Sequence, residues 1–266
     1  MPGTRLKFSP MTLLFAALGG GILLFIVAPI AGMFLHCSAA GLVDTASEAE
    51  VRESIFLTLW TSMAATLFFA IAAIPFAWLL ARKSFPGAWL VNGVVNIPLV
   101  IPHSAAGIAV LGVISRETLL GRSAEAVGLS FVSSPLGIMA AMAFVSLPLL
   151  IGSARDGFAA VPVRLEKAAL VLGASPIRVF FTVSLPLARR AIVSGLVMMW
   201  ARGMSEFGAV VIIAYRPMIT PILIYERFGA FGLKYARPVA AIFVGICLIV
   251  LIVIRLLCRE RKNAQR

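Results

Sequence analysis

The sequence predicts an all-α membrane protein with six transmembrane helices, and three observations carry that reading. Of 266 residues, 61% are hydrophobic and only 13% charged, and a mean hydropathy of +1.03 is more than a water-soluble domain of this size sustains. Apolar runs recur at about 11–37, 54–81, 88–114, 134–154, 191–215 and 238–254, each close to the roughly 20 residues that cross a bilayer core. None of the runs alternates apolar and polar residues with a period of two, which excludes a membrane barrel.

The first run follows Arg5 and Lys7 as a secretion signal would. Its apolar core exceeds the roughly 7–15 residues of a cleavable segment, and His36 before Cys37 spoils a lipoprotein cleavage site, so a retained helix is expected. The second and fourth runs contain Pro75 and Pro148, which bend helices. The third is interrupted by Pro98 and Pro102, with Gly107 and Gly112 beyond them, the fifth holds a charged pair, and the sixth is short. This divides the chain into an N-terminal helix with a short outer loop (1–53), a transmembrane core (54–257) and a basic cytoplasmic tail (258–266). Cys37, Cys247 and Cys258 lie in or at the ends of apolar runs without metal-ligand spacing, as packing residues do.

Basic residues set the orientation. With the amino terminus in the cytoplasm, the inner segments 1–7, 82–83, 155–190 and 255–266 hold 15 Lys and Arg residues against 7 outside. Both termini are therefore expected in the cytoplasm of a prokaryotic cell, and the net charge of +12 becomes a topology signal that calls for no nucleic-acid partner.

The longest inner loop, 155–190, joins the fourth and fifth helices. Arg164 to Leu172 consists of helix formers, with Leu165, Ala168, Ala169 and Leu172 expected on one apolar face and Arg164 and Lys167 off it. Gly173 supplies the left-handed residue that ends such a helix, and Ser175 with Pro176 supplies an N-cap and a first-turn proline for another. That second helix, from about Pro176 to Val183, is expected to expose Ile177, Phe180 and Phe181 before Leu185 and Pro186 turn the chain back to the membrane. Helices this short are marginal in water and must bury their apolar residues. Either the loop lies on membrane lipid, or it is a knob that inserts into a partner protein.

Inside the membrane, Arg202 and Glu206 stand four residues apart, so on one helix they share a face and pair. They are either a structural ion pair or a gate on a path, with Arg202 attracting an anion and Glu206 keeping it from being trapped. Pro98 and Pro102 free backbone groups that fit a cavity wall, and His103 beside them is either a hydrogen-bonded helix residue or a site for an anion or proton. The sequence has no GxxxxGK[ST] loop, no HExxH and no GxSxG, so catalysis is not expected of it and energy for active transport must be borrowed.

Glu166, Ala168, Ala169 and Gly173, followed by Leu185-Pro186, resemble the cytoplasmic "EAA" loop of ABC-importer permeases. Counted back from Gly173, Lys167 stands in the usual glutamate slot and Glu166 one residue earlier. "NIPLVIPHSAAGIAVLG", "SEFGAVVIIAYRPMITPILIYERF", "ARKSFPG" and "FFTVSLPL" look like the oxyanion branch of those permeases, the molybdate/tungstate and sulfate group, from about Arg52 onward. The resemblance implies a homodimer, two separate ATPase subunits that bind ATP and Mg and on which the coupling loop docks, an external oxyanion-binding protein, and import by alternating access. A sulfate or thiosulfate permease is the neighbouring alternative, and a self-sufficient anion carrier or channel is the rival of another class.

Overall fold

The computed structural model describes residues 9–263, with side chains through Val253. Arg5, Lys7 and Arg266, used in the charge tally, lie outside the described residues, as do the last three residues of the predicted tail and the side chain of Cys258. In chain order the helices are α1 (Pro10–Leu35), α2 (Ala39–Ser47), α3 (Ala49–Arg82), α4 (Ala88–Val100), α5 (His103–Ile114), α6 (Leu119–Ala126) and α7 (Pro135–Ala159). They continue as α8 (Val163–Val171), α9 (Pro176–Val179), a π-helical segment (Phe180–Ser184), α10 (Leu185–Met204), α11 (Gly208–Ile213), α12 (Thr220–Phe231) and α13 (Leu233–Asn263). There are no strands among the described residues, and the fold class is the all-α one expected. Five helical stretches are long and apolar enough to cross a membrane, or six if the bent pair α4 and α5 is one span.

The chain forms two compact units. One joins residues up to Glu48 with those from Arg227 on: α2 packs on α13, and Arg227 reaches Glu48 at 2.5 Å. The other, Ala49–Glu226, is built around α3, α7 and α10. Their contact faces carry small residues, Ala65, Ala73, Ala77, Ala143, Ala154 and Ala188, with Leu150, Phe158 and Met199 filling the remaining space. In lipid there is little hydrophobic drive between helices, so close backbone approach and dense packing hold them together.

Two expected spans are not single rods. The third bends by 115° between α4 and α5. Pro102 has no N–H to donate and disfavours helical geometry at Ile101, which is extended at φ −72°, ψ 149°, whereas Pro98 is accommodated inside α4. The fifth begins earlier than predicted, because α9, the π segment and α10 form one continuous stretch from Pro176 to Met204. Leu185 and Pro186 therefore do not turn the chain. In a regular α-helix the Pro186 ring would strike the carbonyl of Thr182; the wider π turn, closed by the Leu185 N–H on the Phe180 carbonyl, removes that clash. The same span ends at Met204, so Glu206 lies beyond the helix that was expected to contain it.

Candidate functional site

The loop between α7 and α10 has the expected corner. Gly173 takes φ +85°, its N–H donates to the Leu170 carbonyl at 2.9 Å, and the Ala174 N–H donates to the Ala169 carbonyl at 3.1 Å. This is the paired closure that satisfies the last carbonyls of a helix through a left-handed glycine. Two residues on, the Ser175 Oγ accepts the Arg178 N–H at 3.3 Å and Pro176 opens α9. Around the corner Val171 and Leu172 are each 87% exposed, and Ile177 is 73% exposed. Phe181 is exposed too, whereas Phe180 turns inward and packs edge-on against Trp78 and near Phe158.

The face of α8 differs from the one expected. Leu165 and Ala168 face outward with Leu172, Ala169 is half-buried, and Glu166 is the one residue of α8 that is fully buried. The reason is a charged partner 84 residues earlier. Arg82, the last residue of α3, donates through Nε to Glu166 Oε2 at 2.8 Å and through Nη2 to Oε1 at 2.9 Å, a bidentate fork. Nη2 also reaches the Val161 carbonyl at 2.9 Å, and Ser184 Oγ donates to Glu166 Oε1 at 2.6 Å. Burial opposes ionisation of Glu166, but the Arg82 and Ser184 hydrogen bonds and the Arg82 charge outweigh it and hold its pKa below the usual carboxylate range. The buried Trp78 Nε1 lacks an aligned acceptor, although its dipole acts favourably on this carboxylate.

A second polar cluster joins the bend of the third span to the break after the fifth. Glu206 is 1% exposed, and its Oε2 stands 2.9 Å from Arg202 Nη2 and 3.1 Å from His103 Nδ1. Oε2 is close to both and pairs with the Arg202 charge, but is aligned for a hydrogen bond with neither, while Oε1 accepts the Ala209 N–H of α11 at 2.9 Å. Arg202 Nη2 also lies 2.9 Å from both ring nitrogens of His103. Gly208 permits the approach, because a Cβ there would meet the His103 Cβ at 2.7 Å. Arg202 and His103 are partly accessible, so the cluster presents a guanidinium and an imidazole outward over a buried carboxylate. Pro102 precedes His103 and is exposed at this bend, but Pro98 belongs elsewhere: it lines an apolar cleft of about 320 Å³ with Phe69, Phe76, Phe144 and Pro148. Among the described residues no group of three or more His, Cys, Asp or Glu side chains is placed to hold a metal ion.

Residues 73–260 match the family described as the binding-protein-dependent transport system inner membrane component. The chain belongs to that family. This permease is 41% identical over 252 residues to the molybdate/tungstate transport system permease protein WtpB of Pyrococcus abyssi, covering 94% of this chain and 96% of that one. It is 42% identical to WtpB of Thermococcus kodakarensis over 94% and 97% of the two chains. Against the sulfate transport system permease protein CysT of Synechocystis it is 30% identical, over 89% of this chain and 85% of the relative. Its fold matches a bacterial ABC transporter involved in alginate import, with a TM-score of 0.72 at 19% identity over 93% of this chain and 95% of that chain.

Sequence reasoning on the permease found Glu166, Gly173, Ser175 and Pro176 but missed Arg82 and Ser184, which hold Glu166. The available signal was Glu166 itself, an acid inside a helix that must bury one face and so needs a cation. His103 and Arg202 were each singled out, yet their meeting across 99 residues was not visible.

Proposed function

We propose that this chain is the membrane-spanning subunit of an ABC importer that carries a tetrahedral oxyanion, molybdate or tungstate, into the cell by alternating access. The observation that carries the substrate is its likeness, at about two-fifths identity and nearly full length, to permeases named for those ions. The likeness to a sulfate permease is weaker and supports sulfate as the second reading. Support for the energy source comes from the α8–α9 corner, whose exposed Val171, Leu172 and Ile177 are an apolar tip in need of a partner.

In this reading the loop 155–190 of the core 54–257 faces the cytoplasm, as do both termini, and its tip docks on an ATPase subunit. The chain itself binds no ATP; two copies of the ATPase bind ATP and Mg. Two copies of the permease form the pathway, and an external oxyanion-binding protein loads it. ATP binding draws the ATPases together, the tips follow, and the path opens outward; hydrolysis returns it to face inward. Arg202, His103 and Glu206 form the gate, with Pro102 setting its bend. Arg202 draws the dianion, and the buried carboxylate keeps the field from becoming a trap.

The test is uptake in liposomes holding the assembled importer, with ATP inside and the loaded binding protein outside. Molybdate uptake that requires ATP and resists excess sulfate is expected. Preferential sulfate uptake would overturn the substrate, and ATP-independent uptake by the chain alone would overturn the class.

A further inference from the structure

We propose that Arg82 and Ser184 are positioning residues that lock Glu166, and with it the α8 docking tip, to α3 and α10, so that motion of the tip is delivered to the transmembrane bundle through this one charged node. The proposal rests on the reading that an ATPase docks on the tip.

The node joins four pieces of chain at one point. Arg82 is the end of α3, Val161 lies in the link between α7 and α8, Glu166 is in the first turn of α8, and Ser184 closes the π segment that leads into α10. Both carboxylate oxygens are engaged, Oε2 by one donor and Oε1 by two, so the side chain cannot rotate without breaking a bond. Its burial matters as much as its bonding. An exposed pair of this kind swings freely and holds little, whereas a buried fork keeps one geometry.

Packing alone would not make α8 follow its neighbours. Glu166 is the only fully buried residue of α8, and the apolar residues Leu165, Leu170 and Val171 face away from the bundle. An apolar contact also lets one helix slide over another, while two parallel N–H···O bonds resist both sliding and rotation. The aromatic group of Trp78, Phe158 and Phe180 supports the base of the loop but involves no residue of α8. The buried Trp78 N–H lies beside the same carboxylate and also favours its ionised form.

The experiment uses the complete importer in liposomes and reads molybdate ions taken up per ATP hydrolysed, a ratio that a role in stability alone does not move. Removing both charges with Arg82→Met and Glu166→Met avoids a stranded buried ion. This double variant is expected to retain the ATPase and hydrolyse ATP while the ratio falls about tenfold or more. Ser184→Ala, which leaves the fork, is expected to assemble fully and lower the ratio severalfold. An unchanged ratio in the assembled double variant overturns the proposal, and so does an unchanged ratio in Ser184→Ala if the double variant does not assemble. A wild-type chain that never retains an ATPase would instead refute the docking reading beneath it.

Discussion

Replacing Gly173 by valine tests the docking corner through its backbone. At φ +85° the residue is in the left-handed region, and a Cβ placed there meets no atom within 4 Å. Packing therefore contributes nothing to the cost, and all of it is conformational. A left-handed L-residue costs roughly 1–2 kcal/mol, and a β-branched one more. If the corner opens to relieve the strain, it loses the Gly173 and Ala174 hydrogen bonds to the end of α8, each worth about 1 kcal/mol net. Strain of that size cancels the two bonds that hold the corner closed, so the opened form becomes comparably populated and the docking-competent form falls severalfold, about 1.4 kcal/mol being a factor of ten. Affinity of the purified ATPase for the permease in lipid nanodiscs should fall severalfold for Gly173→Val, less for Gly173→Ala and least for Gly173→Asn, because asparagine tolerates this region best. Valine at the neighbouring Ala174, which has no positive φ, should do little. Wild-type affinity in Gly173→Val, or equal losses at both positions, would refute the argument.

Three further outcomes are expected. Removing one charge of the Arg202–Glu206 pair should cost about 3–5 kcal/mol of stability, while Arg202→Met with Glu206→Gln should assemble and keep a stimulated ATPase but lose most ion uptake; near-normal uptake by that double variant would reduce the pair to a structural one. In a cysteine-free background, Ser47→Cys and Gly229→Cys should react with impermeant reagents outside intact cells and Leu172→Cys should not, and labelling of the last from outside would reverse the proposed orientation. Because the folded pKa of Glu166 is lowered from its ordinary 4.5, its stabilisation is complete above that value and is lost as pH falls through the lower folded value. Thermal unfolding of wild type and Glu166→Gln should therefore differ at pH 7 and still at 4.5, and converge only under stronger acid; convergence already at neutral pH would refute the buried node.

The features legible in the sequence were those determined by neighbouring residues. Gly173 and Pro176 act through their own backbones, Ser175 caps a residue three places on with its side chain, and spans such as α1, α3 and α7 follow from apolar length. Features set by distant partners were hidden. The inward face of α8 depends on Arg82: helical periodicity marked Leu165, Ala168, Ala169 and Leu172 as the face to bury and gave no place to Glu166, for which a guanidinium was waiting. Arg202 and Glu206 were correctly paired, but spacing alone suggested one helix where the chain breaks at Ser205 and gives Glu206 both His103 and the Ala209 N–H. Nothing in the apolar run 191–215 marks that break before the partner across the bundle is known.

The π turn at Phe180–Ser184 fixes how the α8–α9 corner is aimed. A turn closed from Leu185 to Phe180 holds one residue more than an α-helical turn. Deleting one residue there to restore a regular helix would rotate everything before it by about 100° and draw it in by about 1.5 Å relative to α10. Ile177 and Phe181 would then point in a different direction while the membrane-embedded part of the span stayed where it is. The compass bearing of the tip is thus written in a single extra residue.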